Sequence, residues 1–100
     1  MASVDVARLS KAFKALSNPN RLQLFLNLVK ETKLDVSGHH PCFLGSLLRN
    51  LNVGAPTVSH HVKELVNADL IRTERDGKQL RCSINPAILE ELGQLFQTDA

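Results

Sequence analysis

Apolar residues recur at steps of three and four through most of this chain, switch to every second position after residue 70, and then return to the helical step. Val6, Leu9, Phe13 and Leu16 mark one helical face within residues 4–16. Asn18-Pro19 then supplies an N-cap followed by a proline at the first helical position. The second helix runs to about Lys30, with Leu22, Phe25, Leu26 and Val29 expected inward. Residues 31–42, ETKLDVSGHHPC, break the period, and Ser37-Gly38 and Pro41 are loop signals.

A third helix is expected from about Phe43 to Leu51, carrying Leu44, Leu47, Leu48 and Leu51. The connection Asn52-Val53-Gly54-Ala55 is tight, with Gly54 the candidate for positive φ. A fourth helix follows from Pro56 to about Ala68. At about 100° per residue, Val58, Val62 and Leu65 share one narrow face, Ser59, His60 and Lys63 lie roughly opposite, and His61 borders the apolar stripe.

Residues 70–84, LIRTERDGKQLRCSI, alternate instead, and Asp76-Gly77 reads as a two-residue hairpin turn. Pairing across that turn sets Thr73 opposite Leu80 and Ile71 opposite Cys82, which turns Cys82 inward as a small core residue. Asn85-Pro86 caps a last helix bearing Ile88, Leu89, Leu92, Leu95 and Phe96. The expected fold is mainly α with a small β-hairpin (α+β), in the order α-α-α-α-β-β-α. It forms a single domain over residues 1–100.

Two short helices joined by a tight turn and followed by a basic hairpin make a winged helix-turn-helix. A helix fits the DNA major groove, and polar groups near its N-terminus reach base edges and phosphates. Thr57, Ser59, His60 and Lys63 are the outward groups, and the amides after Pro56 add a field suited to phosphate. The hairpin contributes Arg72, Arg75, Lys78 and Arg81, with Arg75 and Lys78 nearest the turn. Double-stranded DNA is the expected partner.

Charge supports this. Residues 1–33 hold six Lys/Arg and two acids, residues 49–85 hold six and four, and residues 86–100 hold three acids and no base. The net +2 therefore hides a basic body behind an acidic tail. Apolar residues at 43% and charged residues at 22% suit an ordinary globular domain. No apolar run approaches membrane length, and the N-terminus does not read as a signal peptide, so a cytoplasmic location is expected. No nucleophile–base pair or phosphate-binding glycine loop is recognisable, so an enzyme is not expected. The alternative is a winged-helix module that binds protein instead of DNA.

Three segments carry a family resemblance: ALSNPNRLQLF (15–25), PTVSHHVKELVNADLI (56–71) and RTERDGKQLRCSINP (72–86). With their spacing, the chain resembles the ArsR/SmtB family of bacterial metal- and stress-responsive repressors. The family's Ser-any-His-apolar pattern matches Ser59-His60-His61-Val62. The resemblance implies a homodimer that binds a palindromic operator and releases it when an inducer binds. Its interface would come from the first helix (Val6, Leu9, Phe13) and the last (Leu89, Leu92, Phe96). The DNA-reading set is then Thr57, Ser59, His60, His61, Lys63, Arg75 and Lys78.

Adjacent helical residues diverge by about 100°, so His60 and His61 do not chelate one ion together. The Cys-any-Cys of arsenic- and cadmium-sensing members is absent; Phe43-Leu44-Gly45 stands there. The last helix lacks the histidines of zinc-sensing members. The remaining sensor candidate is His39, His40 and Cys42, whose imidazoles and thiolate suit zinc or another thiophilic ion. Cys42 alone is a candidate thiol switch. A Cys42–Cys82 disulfide is not expected, because the two lie far apart in sequence and Cys82 is expected to face inward.

Overall fold

A computed structural model of the chain describes residues 5–34 and 42–97. The elements are α1 (Val6–Leu16), α2 (Pro19–Leu34), β1 (Cys42–Phe43), a 3-10 turn (Leu44–Leu47), α3 (Ala55–Asn67), β2 (Ile71–Asp76), β3 (Gln79–Ile84) and α4 (Pro86–Leu95). The architecture is α+β. Helices α1, α2 and α3 pack on one another, and a three-stranded antiparallel sheet in the order β1-β3-β2 flanks them.

Local capping explains where the helices start. Asp5 Oδ1 accepts from the Arg8 amide at 3.1 Å, and Asn18 Oδ1 accepts from the Asn20 and Arg21 amides at 3.0 and 3.1 Å. Each satisfies amides that a helix leaves without internal partners. Asn85 does more. Its Oδ1 caps α4 by accepting from the Ala87 amide, while its Nδ2 donates to the Asp69 carbonyl at 2.9 Å. Buried at that junction, it ties the start of α4 to the turn before β2.

α3 ends in a left-handed residue, Asp69 at φ 62°. The Leu70 amide reaches back to the Leu65 carbonyl and the Asp69 amide to Val66, which closes the last turn.

The core is one cluster in which α3 supplies Val58, Val62 and Leu65 and the sheet supplies Ile71, Cys82 and Ile84. α1 contributes Leu9, Ala12 and Ala15, and α2 contributes Leu24, Phe25 and Leu28. The buried stripe of α2 is rotated from the one expected. Val6 and Phe13 face out of α1, and Leu22 and Leu26 face out of α2. Small alanines let α1 approach its neighbours closely. α2 carries apolar residues on several sides, so spacing alone does not choose its inner face. Leu9, at 4% exposed, belongs to the protomer's own core, which removes it from the expected subunit interface.

The helix expected over 43–51 is replaced by a two-residue strand and one 3-10 turn. β1 pairs with β3, placing Cys42 opposite Cys82 and Phe43 opposite Arg81. Positive φ in this region falls on Asn50 at 64°, whereas Gly54 is extended (φ −79°) and sits as the N-cap of α3.

The hairpin pairs Asp76 with Gln79, so its turn is Gly77-Lys78, with Gly77 at φ 63°. Thr73 therefore meets Cys82 and Ile71 meets Ile84, two residues from the expected register. A shift of two preserves faces where a shift of one would invert them, and Cys82 is inward at 1% exposed.

One polar clasp holds the 3-10 turn. The buried Asn27 Nδ2 donates to the carbonyls of Leu47 and Arg49, both at 3.0 Å, and its Oδ1 accepts from Gln23 Nε2 at 3.0 Å. Asn27→Ala removes the donor and should lower stability by about 1–3 kcal/mol, the range for leaving buried polar groups unpaired. Urea denaturation measures this, and an unchanged midpoint would show that the clasp contributes nothing.

Candidate nucleic-acid interface

α3 is divided lengthwise. Val58, His61, Val62 and Leu65 are buried, whereas Thr57, Ser59, His60 and Lys63 are exposed. Its apolar side is held by the core, so the polar side has a fixed direction. At its N-terminus the N-cap is Gly54, which has no side chain to accept from the first-turn amides.

His61 departs from the expected DNA-reading set. It is 5% exposed and packed on the inner side, so it presents no group to a partner. The family pattern in sequence pointed at it, but the helical angle turns it toward α2. Neither ring nitrogen has a hydrogen-bond partner among the described residues. Burial, aided by the Arg21 and His60 charges, holds its imidazole below the ordinary value of 6.5.

His60 remains outward. Its Nε2 lies 4.0 Å from Glu64 Oε1, and Arg21 Nη1 lies 3.8 Å from Glu64 Oε2. Glu64 thus stands between a half-buried arginine from α2 and the outward histidine. A hollow of about 460 Å³ opens beside them, lined by Lys11, Lys14, Ser17, Arg21, His60 and Asn67 among others. This basic neighbour of α3 was not singled out from the sequence. The only signal available was the excess of bases in residues 1–33, which does not show that α1 reaches His60.

On the hairpin, four expected cations separate into two pairs. Arg81 Nη2 bonds Asp76 Oδ2 at 2.7 Å and its guanidinium lies 5.1 Å from the Phe43 ring centre. Arg72 leans to Asn85 Oδ1 at 3.5 Å. Arg75 and Lys78 are exposed and enter no ion pair among the described residues. Spatially, the hairpin tip and the polar face of α3 supply the available charge.

Of the sensor set, His39 and His40 lie outside the described residues, and Cys42 is half-buried in β1. Among the described residues no group of three or more His, Cys, Asp or Glu could hold a metal ion. With Phe43-Leu44-Gly45 in place of paired thiols, these residues do not fit the Cys-any-Cys metal site of the family.

A helix with a fixed polar face, a short turn before it and a charged hairpin behind it define a winged helix-turn-helix regulator. A model of the helix-turn-helix domain matches residues 16–74. The arsenical resistance operon repressor of Staphylococcus aureus is 33% identical over 86% of this chain and 74% of its own length. An ArsR-like transcriptional regulator from Rhodococcus sp. RHA1 superimposes with a TM-score of 0.66 at 21% identity, over 90% of this chain and 76% of that one. The homodimeric winged helix-turn-helix DNA-binding domain of a Mycobacterium bovis protein gives a TM-score of 0.62 at 22% identity, over 90% and 78%. These two likenesses show the shared fold.

The chain belongs to the ArsR/SmtB family of winged helix-turn-helix transcriptional repressors, a family of DNA-binding regulators and not of enzymes. No helix among the described residues is long and apolar enough to cross a membrane.

The buried His61 makes a pH prediction. The fold favours its neutral form, while the unfolded chain takes up a proton near 6.5, so stability falls as pH drops below about 6.5. His61→Leu removes a group without hydrogen-bond partners and should flatten that fall. Thermal midpoints of both proteins between about pH 7.5 and about pH 5.5 measure it. Parallel pH curves would show that His61 takes no part.

Proposed function

We propose that this chain acts as a homodimer on a palindromic operator, with Thr57, Ser59, His60 and Lys63 entering the major groove and Arg75 and Lys78 meeting flanking phosphates. The observation that carries this is the division of α3. Four polar side chains face out together from a helix whose other side is locked in the core. An apolar exposed face, which a protein-binding winged helix would need at this place, is not what these residues offer.

A second copy would cover the apolar side chains that one protomer leaves uncovered. Val6 and Phe96 are each 70% exposed, and Phe13 and Leu95 are also outward. The Phe13 and Phe96 rings meet edge-on with centres 6.3 Å apart, so α1 and α4 present one continuous surface. Leu89 and Leu92 flank it, partly packed on the core. Duplex DNA and self are thus the two partners, and such a regulator works where the DNA is, in the cytoplasm. The Staphylococcus aureus relative carries arsenical resistance in its name. For this chain the signal is proposed to act at His39, His40 and Cys42, through zinc or another thiophilic ion or through thiol chemistry.

Selection of bound duplexes from a random pool, followed by titration at two salt concentrations, tests the DNA assignment. Affinity should fall steeply with salt, and Lys63→Ala should reduce the slope of log K against log salt by about 1. His60→Ala should weaken binding to the selected site while the far-ultraviolet spectrum stays the same. Full affinity in both variants would remove α3 as the reader. Separately, Phe96→Asp should yield a folded monomer in sedimentation velocity, since an unpaired charge is costly in an apolar interface. A dimeric mass would place the interface elsewhere.

A further inference from the structure

Cys42 and Cys82 are directly opposed across β1 and β3. Residues so opposed in an antiparallel pair have Cα atoms about 4.5–5.5 Å apart, within the range that a disulfide spans. Both cysteines are thiols in this structure. The neighbouring pair, Phe43 opposite Arg81, reinforces the register through the guanidinium resting 5.1 Å from the ring centre. We propose that Cys42 and Cys82 are a reversible dithiol oxidised by hydroperoxides to an intrachain disulfide, and that this bond weakens operator binding. The second half rests on the regulator assignment above; the first does not.

The two thiols have distinct roles. Cys42 is half-buried in a short edge strand and can meet a small oxidant. Cys82 is 1% exposed, and burial followed by the nearby Cys42 pushes its pKa up to about 11, so it stays a thiol. Cys42 therefore initiates. Its thiolate sulfur attacks a peroxide oxygen, the O–O bond breaks, an S–O bond forms, and the alcohol (water, for hydrogen peroxide) leaves with a proton. Cys82 sulfur then attacks the Cys42 sulfur. The S–S bond forms, the S–O bond breaks, and the oxygen departs as water with the Cys82 proton. Two thiols lose two hydrogens and two electrons, and one hydroperoxide becomes one alcohol and one water.

The bond would close a ring over residues 42–82, which contains the 3-10 turn, α3 and β2. Opposed Cβ atoms in a sheet sit about 4.5–5.5 Å apart, whereas a disulfide needs about 3.8 Å, so closure draws β1 toward β3 by roughly an ångström. β1 runs directly into the 3-10 turn, and β3 carries the inner side of the hairpin. The displacement thus reaches both parts of the DNA-reading unit.

The full chain, reduced and then treated with stoichiometric hydrogen peroxide, supplies the test. Both thiols should disappear together, the mass should fall by two hydrogens, and peptide mapping without reductant should join Cys42 to Cys82 within one chain. Cys82→Ala should instead accumulate a dimedone-trappable sulfenic acid at Cys42, and Cys42→Ser should not react. Operator affinity of the bridged protein should fall roughly tenfold and return with dithiothreitol, while Cys42→Ser stays insensitive. Persistence of both thiols, or a bridge between two chains, would overturn the dithiol. Unchanged operator affinity in fully bridged protein would overturn its regulatory role. Failure of the reduced protein to bind any duplex would reject the regulator assignment while leaving the thiol result intact.

Discussion

The direction of α3 depends on a side-chain amide that lies on neither α3 nor the 3-10 turn before it. Asn27, in the middle of α2, donates to the carbonyl of Leu47, which ends the short 3-10 turn, and to that of Arg49 just beyond it. That turn is four residues long and buries only Leu47. A segment of this size has little stability of its own. With Asn27 in place, the end of the turn is tied to α2 just ahead of α3. Without that bond, the buried Asn27 amide and the Leu47 carbonyl would be left unsatisfied inside a low-dielectric core.

Asn85 has the same kind of role beyond the other end of α3. It receives α4 and holds the turn that leads into β2. Between these two amides lies a helix whose inner side is apolar except for His61. That imidazole is tolerated because it is neutral there, and the surrounding positive charge opposes its protonation further. Charge on the outer side is tempered by Glu64, which engages both Arg21 and His60 at long ion-pair distances. The Glu64–His60 contact is solvent-exposed and so contributes little, whereas Arg21 is the more enclosed of the two partners.

Much of this is legible in the sequence. The caps at Asn18 and Asn85, the amphipathic stretch 56–68, the hairpin and the inward Cys82 each rest on contacts within a few residues, or on a side-chain period that local sequence carries. The outward Ser59, His60 and Lys63 follow from the same period. His61 was the ambiguous member, because a residue at the border of a stripe is buried or exposed according to what lies beside it. Here α2 and Arg21 lie beside it, from another part of the chain.

Local sequence determined which segments coil, where they are capped, and which residues of α3 point away from its apolar stripe. The tertiary structure decided the rest. It chose Ala12 and Ala15 over Val6 and Phe13 as the buried side of α1, because alanines allow close helix approach. It converted the apolar run after Cys42 into a strand and a turn, because β3 offered an unpaired edge and Asn27 offered a donor. By the same pairing it set Cys42 against Cys82, forty positions along the chain, a proximity that only a shared sheet creates.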